Sequence, residues 1–351
     1  MKTKNKIGPY IKAAWSRLPA PAQKAVAGIE RQIASTPSTY FDPAVHQARL
    51  ERGAVVISFD FEMAWAWQHP LAPAIDFVAK GLWERAQVPG ILKALACHSI
   101  PTTWFTVGHL FLDRCARGND GRAHADMVRL APGSHESYRC DAGDWFQNDP
   151  CTDVHREPAW YAPDLVEMIL KSSVAHEIGC HTFSHACLGP PCTSMVADSE
   201  LNASLDAMAR FGVKPESFSF PRESEGNFES VARAGFRIVR AFTGRRAIFS
   251  LPVMRPDGLW AVHSSTTIHR GARWTLEERL ARLRKFVDAA AKEKLAFHVF
   301  LHPSLSAEDM NSIFIPFLAY CAQQRERGLL DVVTVRELVA LAREEKASHS
   351  V

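Results

Sequence analysis

At 351 residues, 47% hydrophobic and 23% charged, the chain has enough apolar material for a large core and no excess charge that would mark it as disordered. A formal net charge of +3 is too small to argue for a nucleic-acid partner. No run reaches the ~18 apolar residues of a transmembrane helix, and eight cysteines in a chain this long do not make a disulfide scaffold.

Residues 1–50 read as a basic helical extension. Within residues 1–35, Lys2, Lys4, Lys6, Lys12, Arg17, Lys24 and Arg31 face Glu30 alone. The mildly amphipathic stretch Ile7–Ala27 is of a kind that packs on its own domain or touches an anionic membrane surface, and packing is the preferred expectation. The segment lacks the apolar centre and small-residue cleavage site of a secretory signal, so a cytoplasmic location is expected.

From residue 54 short apolar runs alternate with helical periodicity. Strands are predicted at 54–60, 101–107, 176–181, 216–220, 236–241, 295–302 and 330–333, and helices at 89–98, 195–211, 276–293 and 335–344. Thr275-x-x-Glu278 and Thr334-x-x-Glu337 have the form of capping boxes. Such alternation implies a mainly parallel sheet in a single α/β domain, 51–345, open or closed into a barrel, with functional residues at the carboxyl ends of the strands. Residues 131–163 break the rhythm with Gly, Pro, Asp, His and aromatics, as an insertion or binding loop does.

Four strand ends carry chemistry. The first run ends in Ser58-Phe59-Asp60-Phe61-Glu62. Side chains two apart on a strand share a face, and two carboxylates that close call for a cation or a proton. Next, His181 and His185 stand four residues apart in Gly179-Cys180-His181-Thr182-Phe183-Ser184-His185. One helical turn would put them on one face, and two imidazoles with one carboxylate are a zinc set that leaves a coordination position open. The third end is Phe220-Pro221-Arg222-Glu223, whose arginine can orient a carboxylate. The fourth, Leu301-His302-Pro303, offers a histidine suited to proton transfer. His298 sits mid-strand, roughly 13 Å from His302 if extended, too far to share an ion, and is expected to be structural.

In this order the motifs resemble those of the polysaccharide deacetylase superfamily, the NodB-homology or carbohydrate esterase family 4 group, over about Ala54–Val333. The resemblance implies a distorted (β/α)7-type barrel and removal of acyl groups, usually acetyl, from N-acetylated sugars. It implies Asp60 as general base, His181 and His185 as metal ligands, His302 as general acid and Arg222 as the residue that positions Asp60. The family's usual first motif has adjacent aspartates. Here Phe61 takes the second place, as in relatives with Asp-x-Asp or Asp-x-Glu, and Glu62 would be the third ligand.

Zinc is the expected metal, with cobalt, nickel or iron as alternatives. Trp65 and Trp67 are candidates to line the substrate cleft. The expected substrate is an N-acyl amino sugar, glycan or glycoconjugate precursor. A non-sugar amide is the alternative, as is an inactive carbohydrate-binding protein, since Phe61 interrupts the usual acidic pair. Cys180, Cys187 and Cys192 flank the histidines without any CxxC pattern and are expected to be thiols.

Overall fold

The computed structural model describes residues 49–68, 76–131, 143–241, 249–268 and 274–348. Nearly all of the basic leader, together with His69, Tyr138 and residues 132–142 of the irregular segment, lies outside the described residues.

Gly53–Phe61 is buried along its whole length, as a strand must be when both faces of its sheet are covered. It forms β1. The strands that follow are β2 (Thr103–Thr106), β3 (Glu177–Cys180), β4 (Ser217–Ser219), β5 (Ile238–Ala241), β6 (Phe249–Ser250), β7 (Val253–Met254), β8 (Trp260–His263), β9 (Thr266–Thr267), β10 (Ala296–Leu301) and β11 (Leu330–Val333). Seven of them, in the spatial order β10, β1, β2, β3, β4, β5, β8, run parallel and form the curled wall of a distorted (β/α)7-type barrel. β11 pairs with the first half of β1, from Gly53 to Val56, and β2 with the second, from Ser58 to Phe61.

All seven predicted strands form. The sequence reading missed β8, whose apolar run 259–262 is only four residues long and gives too little periodicity to be told from a buried loop. The helix predicted at 89–98 begins much earlier, at Phe77, where the Asp76 side chain accepts the Ala79 N–H. Both predicted capping boxes form, at Thr275 and Thr334. Helices Pro163–Leu170 and Ile315–Glu326 were not foreseen.

Gly81 in the helix Phe77–Cys97 decides how closely that helix approaches the end of β1. A Cβ there would meet the Ala64 nitrogen at 2.8 Å and the Ala159 oxygen at 2.9 Å. The missing side chain brings Glu84, one turn on, within reach of the backbone beside Glu62. Among the described residues no helix is long and apolar enough to cross a membrane.

Candidate active site

The carboxyl end of β1 delivers two acids to one place. Asp60 and Glu62 are both nearly inaccessible, yet both border a pocket of about 330 Å³. Between them Phe61 turns into the core and meets the Trp104 ring edge-on at 5.9 Å. The residue that interrupts the acidic pair is thus a packing residue, and Glu62 takes the place that faces the histidines.

Asp60 is held by Arg240. The two guanidinium nitrogens donate to Oδ1 and Oδ2 at 2.5 and 2.6 Å, a bidentate fork. Arg240 comes from β5 and lies between the rings of Phe105 and Phe300, 5.0 Å from each centroid. Burial alone would raise the Asp60 carboxyl, but the Arg240 charge, followed by His181, outweighs it and holds the group below its ordinary value. The bidentate hydrogen bonds to Asp60 come from Arg240, whereas Arg222, expected in this role, donates to the Ala66 carbonyl at 2.5 Å and borders the pocket beside His185. Arg240, one residue before the end of β5, carried the same signal as Phe220-Pro221-Arg222.

Glu62 is the hub. Its Oε1 lies 2.8 Å from His181 Nε2 and 3.0 Å from His185 Nε2, and its Oε2 lies 3.4 Å from His302 Nε2. His181 Nδ1 is 2.8 Å from the Ser219 carbonyl, which can only accept, so that nitrogen carries a proton. In the neutral ring Nε2 then turns a lone pair toward a carboxylate, an arrangement that calls for a cation between them. Burial lowers His185, against the pull of Glu62, which favours the neutral form a metal ligand needs. Glu62 itself lies well below the usual range: burial would raise it, but the nearby imidazoles of His185, His302 and His181 outweigh that effect. These three residues therefore fit a divalent cation by donor set and proximity.

The histidines do not meet through a helical turn. Residues 181–185 are a loop after β3, with Thr182 and His185 in the left-handed region at φ 59° and 62°. Buried Glu200 fastens this loop, accepting the Phe183 and Ser184 N–H groups at 2.9 Å and the Ser184 hydroxyl at 2.6 Å. Strain of this kind persists only where the surroundings over-determine it.

His302 follows β10, one-third exposed at the pocket. Burial works against its charge, but Glu62, Asp60 and Glu84 together push it up to about 10. Glu84 went unnoticed in the sequence, because a glutamate inside a helix reads as solvated surface. It is fully buried, accepts the Met63 N–H at 2.9 Å, and is raised to about 8 chiefly by burial. Met63 itself has φ 52°, so this carboxyl supports strained backbone next to Glu62.

The two tryptophans part company. Trp67 is half-buried and lines the pocket with Phe220, Phe300 and Glu223. Trp65 does not line it: 1% exposed, it packs edge-on against Trp160 at 5.0 Å, and that half of the cleft expectation is corrected. Cys180 and Cys187 are buried thiols pushed up to about 12 by desolvation, and Cys192 likewise. His298 contacts Ser58 Oγ at 2.8 Å and is pushed down to about 3 by burial, the behaviour of a core histidine.

Residues 52–238 match a family model described as polysaccharide deacetylase. A protein described as a polysaccharide deacetylase from Mycobacterium smegmatis is similar in structure, with a TM-score of 0.58 and 14% identity over 85% of this chain and 94% of that one. Puue allantoinase is similar with a TM-score of 0.55 and 12% identity, over 82% of this chain and 89% of that one. At such identities the likeness concerns the fold. No curated protein matches the sequence significantly.

Proposed function

This chain belongs to the polysaccharide deacetylase family, and from that premise we propose that it is a metal-dependent hydrolase that removes an N-acyl group, in the first instance acetyl, from an amino sugar or glycan. The observation that carries the reading is Glu62 Oε1 within 3.0 Å of two imidazole nitrogens at the floor of a pocket that also holds Asp60 and His302.

Glu62, His181 and His185 would hold the cation. Bound there, it supplies Lewis acidity toward the acyl oxygen and acidifies a water. Asp60 takes the proton of the attacking water. Both its oxygens already accept from Arg240, but each keeps a lone pair, and the guanidinium keeps the group ionised. His302, protonated at neutral pH, donates to the leaving nitrogen. Trp67, Phe220 and Phe300 offer apolar faces to a sugar ring, and Arg222 and Glu223 offer polar contacts at its rim.

At about 330 Å³ the pocket is near the small end of ligand sites, room for one sugar unit or a compact amide. Hydrolysis of a non-sugar amide is therefore the second reading. The test is metal content of the wild-type protein beside His181→Ala and His185→Ala, followed by acetate release from N-acetylated sugars and turnover of small cyclic and linear amides. Metal-dependent acetate release, lost in both variants, supports the proposal. Turnover of the amides alone would replace it with the second reading, and no turnover of either by metal-loaded protein would overturn both.

A further inference from the structure

A second convergence of metal-binding side chains lies outside the pocket, where residues 108–131 meet the described part of the irregular segment. His109, Cys115, His124 and Asp149 each direct one donor atom into a space where all four lie within 4.8 Å of one another. Asp149 is the hub. Its Oδ2 is 3.3 Å from His109 Nε2, 2.9 Å from His124 Nε2 and 3.5 Å from Cys115 Sγ. The edges of a tetrahedral zinc site with bonds of 2.0–2.3 Å are roughly 3.3–3.8 Å, so these separations already approach that geometry.

Hydrogen bonds around the cluster leave a lone pair of His109 and one of Asp149 pointing inward. His109 Nδ1 lies 3.2 Å from the Trp160 carbonyl, which fixes the proton on that nitrogen. Its Nε2, on a ring with no exposure, has no hydrogen-bond partner among the described residues although it is aimed at the cluster. Burial lowers this imidazole, so the neutral form with a free Nε2 is favoured. Asp149 Oδ1 accepts the Cys151 N–H at 2.9 Å, which leaves Oδ2 to face the donors. The Tyr161 hydroxyl accepts the Thr152 N–H at 3.0 Å, and its own proton faces both the Cys115 sulfur 3.2 Å away and Asp149 Oδ1 at 3.5 Å. Outer partners of this kind orient ligands and stabilise a thiolate.

We propose that His109, Cys115, His124 and Asp149 bind a structural divalent cation of the zinc class. Binding displaces the Cys115 thiol proton to solvent and completes a closed set of four protein ligands, with no position left for a reacting water. The ion staples the irregular segment to the loop that carries His185: His109 N–H donates to the Phe183 carbonyl at 2.9 Å, and the Phe183 ring lies against both His109 and His124.

The experiment uses the full-length chain, purified with reductant, stripped and reloaded with Zn2+ or Co2+. Wild type is expected to hold about two ions per chain, and the His181→Ala/His185→Ala double variant about one. Cobalt bound through sulfur gives a near-ultraviolet charge-transfer band that a His–Glu site cannot produce. That band is expected in wild type and in the double variant and is expected to vanish in Cys115→Ser. A wild type with one ion that the double variant loses, or a band that survives Cys115→Ser, overturns the proposal. Should Cys115→Ser fail to fold, the double variant decides, because it leaves the cluster intact: a thiolate band there sustains the site, and its absence ends it.

Discussion

Two groups of histidines and acids stand in this molecule and differ in everything but residue type. Around Glu62 the side chains come from the ends of parallel strands and border an open pocket. Around Asp149 they come from irregular segments and are enclosed by Trp65, Phe146, Tyr161 and Phe183. Strand ends are held by the barrel wall whatever occupies the site, so the first group can leave a coordination position for a reactant. Loops have no such frame, and a closed set of ligands is itself a means of fixing them. If both proposals hold, accessibility and the origin of the ligands are what separate a reacting site from a stapling one.

The sharpest way to break the comparison is to remove the two groups proposed to move protons at the open site. Asp60→Asn and His302→Gln are each expected to lower kcat by ~10²–10⁴-fold while leaving both ions bound. The pH profile carries signs. Asp60 is held below its ordinary value, so activity falls only as pH drops into the acid range. His302 is pushed up to about 10, so activity falls as pH rises toward that value. A cation on Glu62 offsets part of the charge that raises His302, and the alkaline limb of loaded enzyme should lie below 10. A limb unchanged in His302→Gln would remove His302 as the acid.

Arg240→Met comes next. It leaves a buried carboxylate without its partner, which costs ~3–5 kcal/mol of stability. It also moves the acid limb to higher pH, because burial then raises Asp60 against only the pull of His181 and His302. Unchanged urea unfolding together with an unmoved limb would contradict the pairing.

Trp65 and Trp67 sharpen the boundary between the two regions, two residues apart. Trp65→Ala empties core packing against His109 and Trp160 and is expected to cost ~3–5 kcal/mol, measured by thermal unfolding. Trp67→Ala is expected to spare stability and raise KM. The reverse pattern would place the cleft on the wrong side of this turn.

Stability also carries a slope with pH. Glu84 is raised from 4.5 to about 8, so the folded protein holds a proton there that the unfolded chain releases. That contribution to stability is full below pH 4.5 and is lost as pH rises toward 8. Glu84→Gln, a neutral isostere of the protonated acid, should flatten this part of the stability profile. A slope unaltered in the variant would assign it to other groups.

Much of this site was legible in the residues because its elements are local. Asp60-Phe61-Glu62, His181-x-x-x-His185 and His302-Pro303 each end an apolar run, and the end of a parallel strand is where such folds place function. The choice between Arg222 and Arg240 was not legible. Both arginines follow strand-like runs, and which one reaches Asp60 depends on the curl of the wall and on the slot between Phe105 and Phe300. The i, i+4 spacing of His181 and His185 pointed to their proximity through the wrong conformation, since a strained loop anchored by Glu200 brings them together.

Strand and helix alternation, the capping boxes and the family motifs are properties of short stretches, and periodicity and backbone chemistry settle them within a few residues. Contacts between distant stretches are not. Glu84 beneath Met63, Trp65 turned inward while Trp67 faces the pocket, and the meeting of His109, Cys115, His124 and Asp149 all depend on how loops pack once the sheet has curled. That packing is a sum over many weak, long-range contacts with no local signature, so only the tertiary structure decided it.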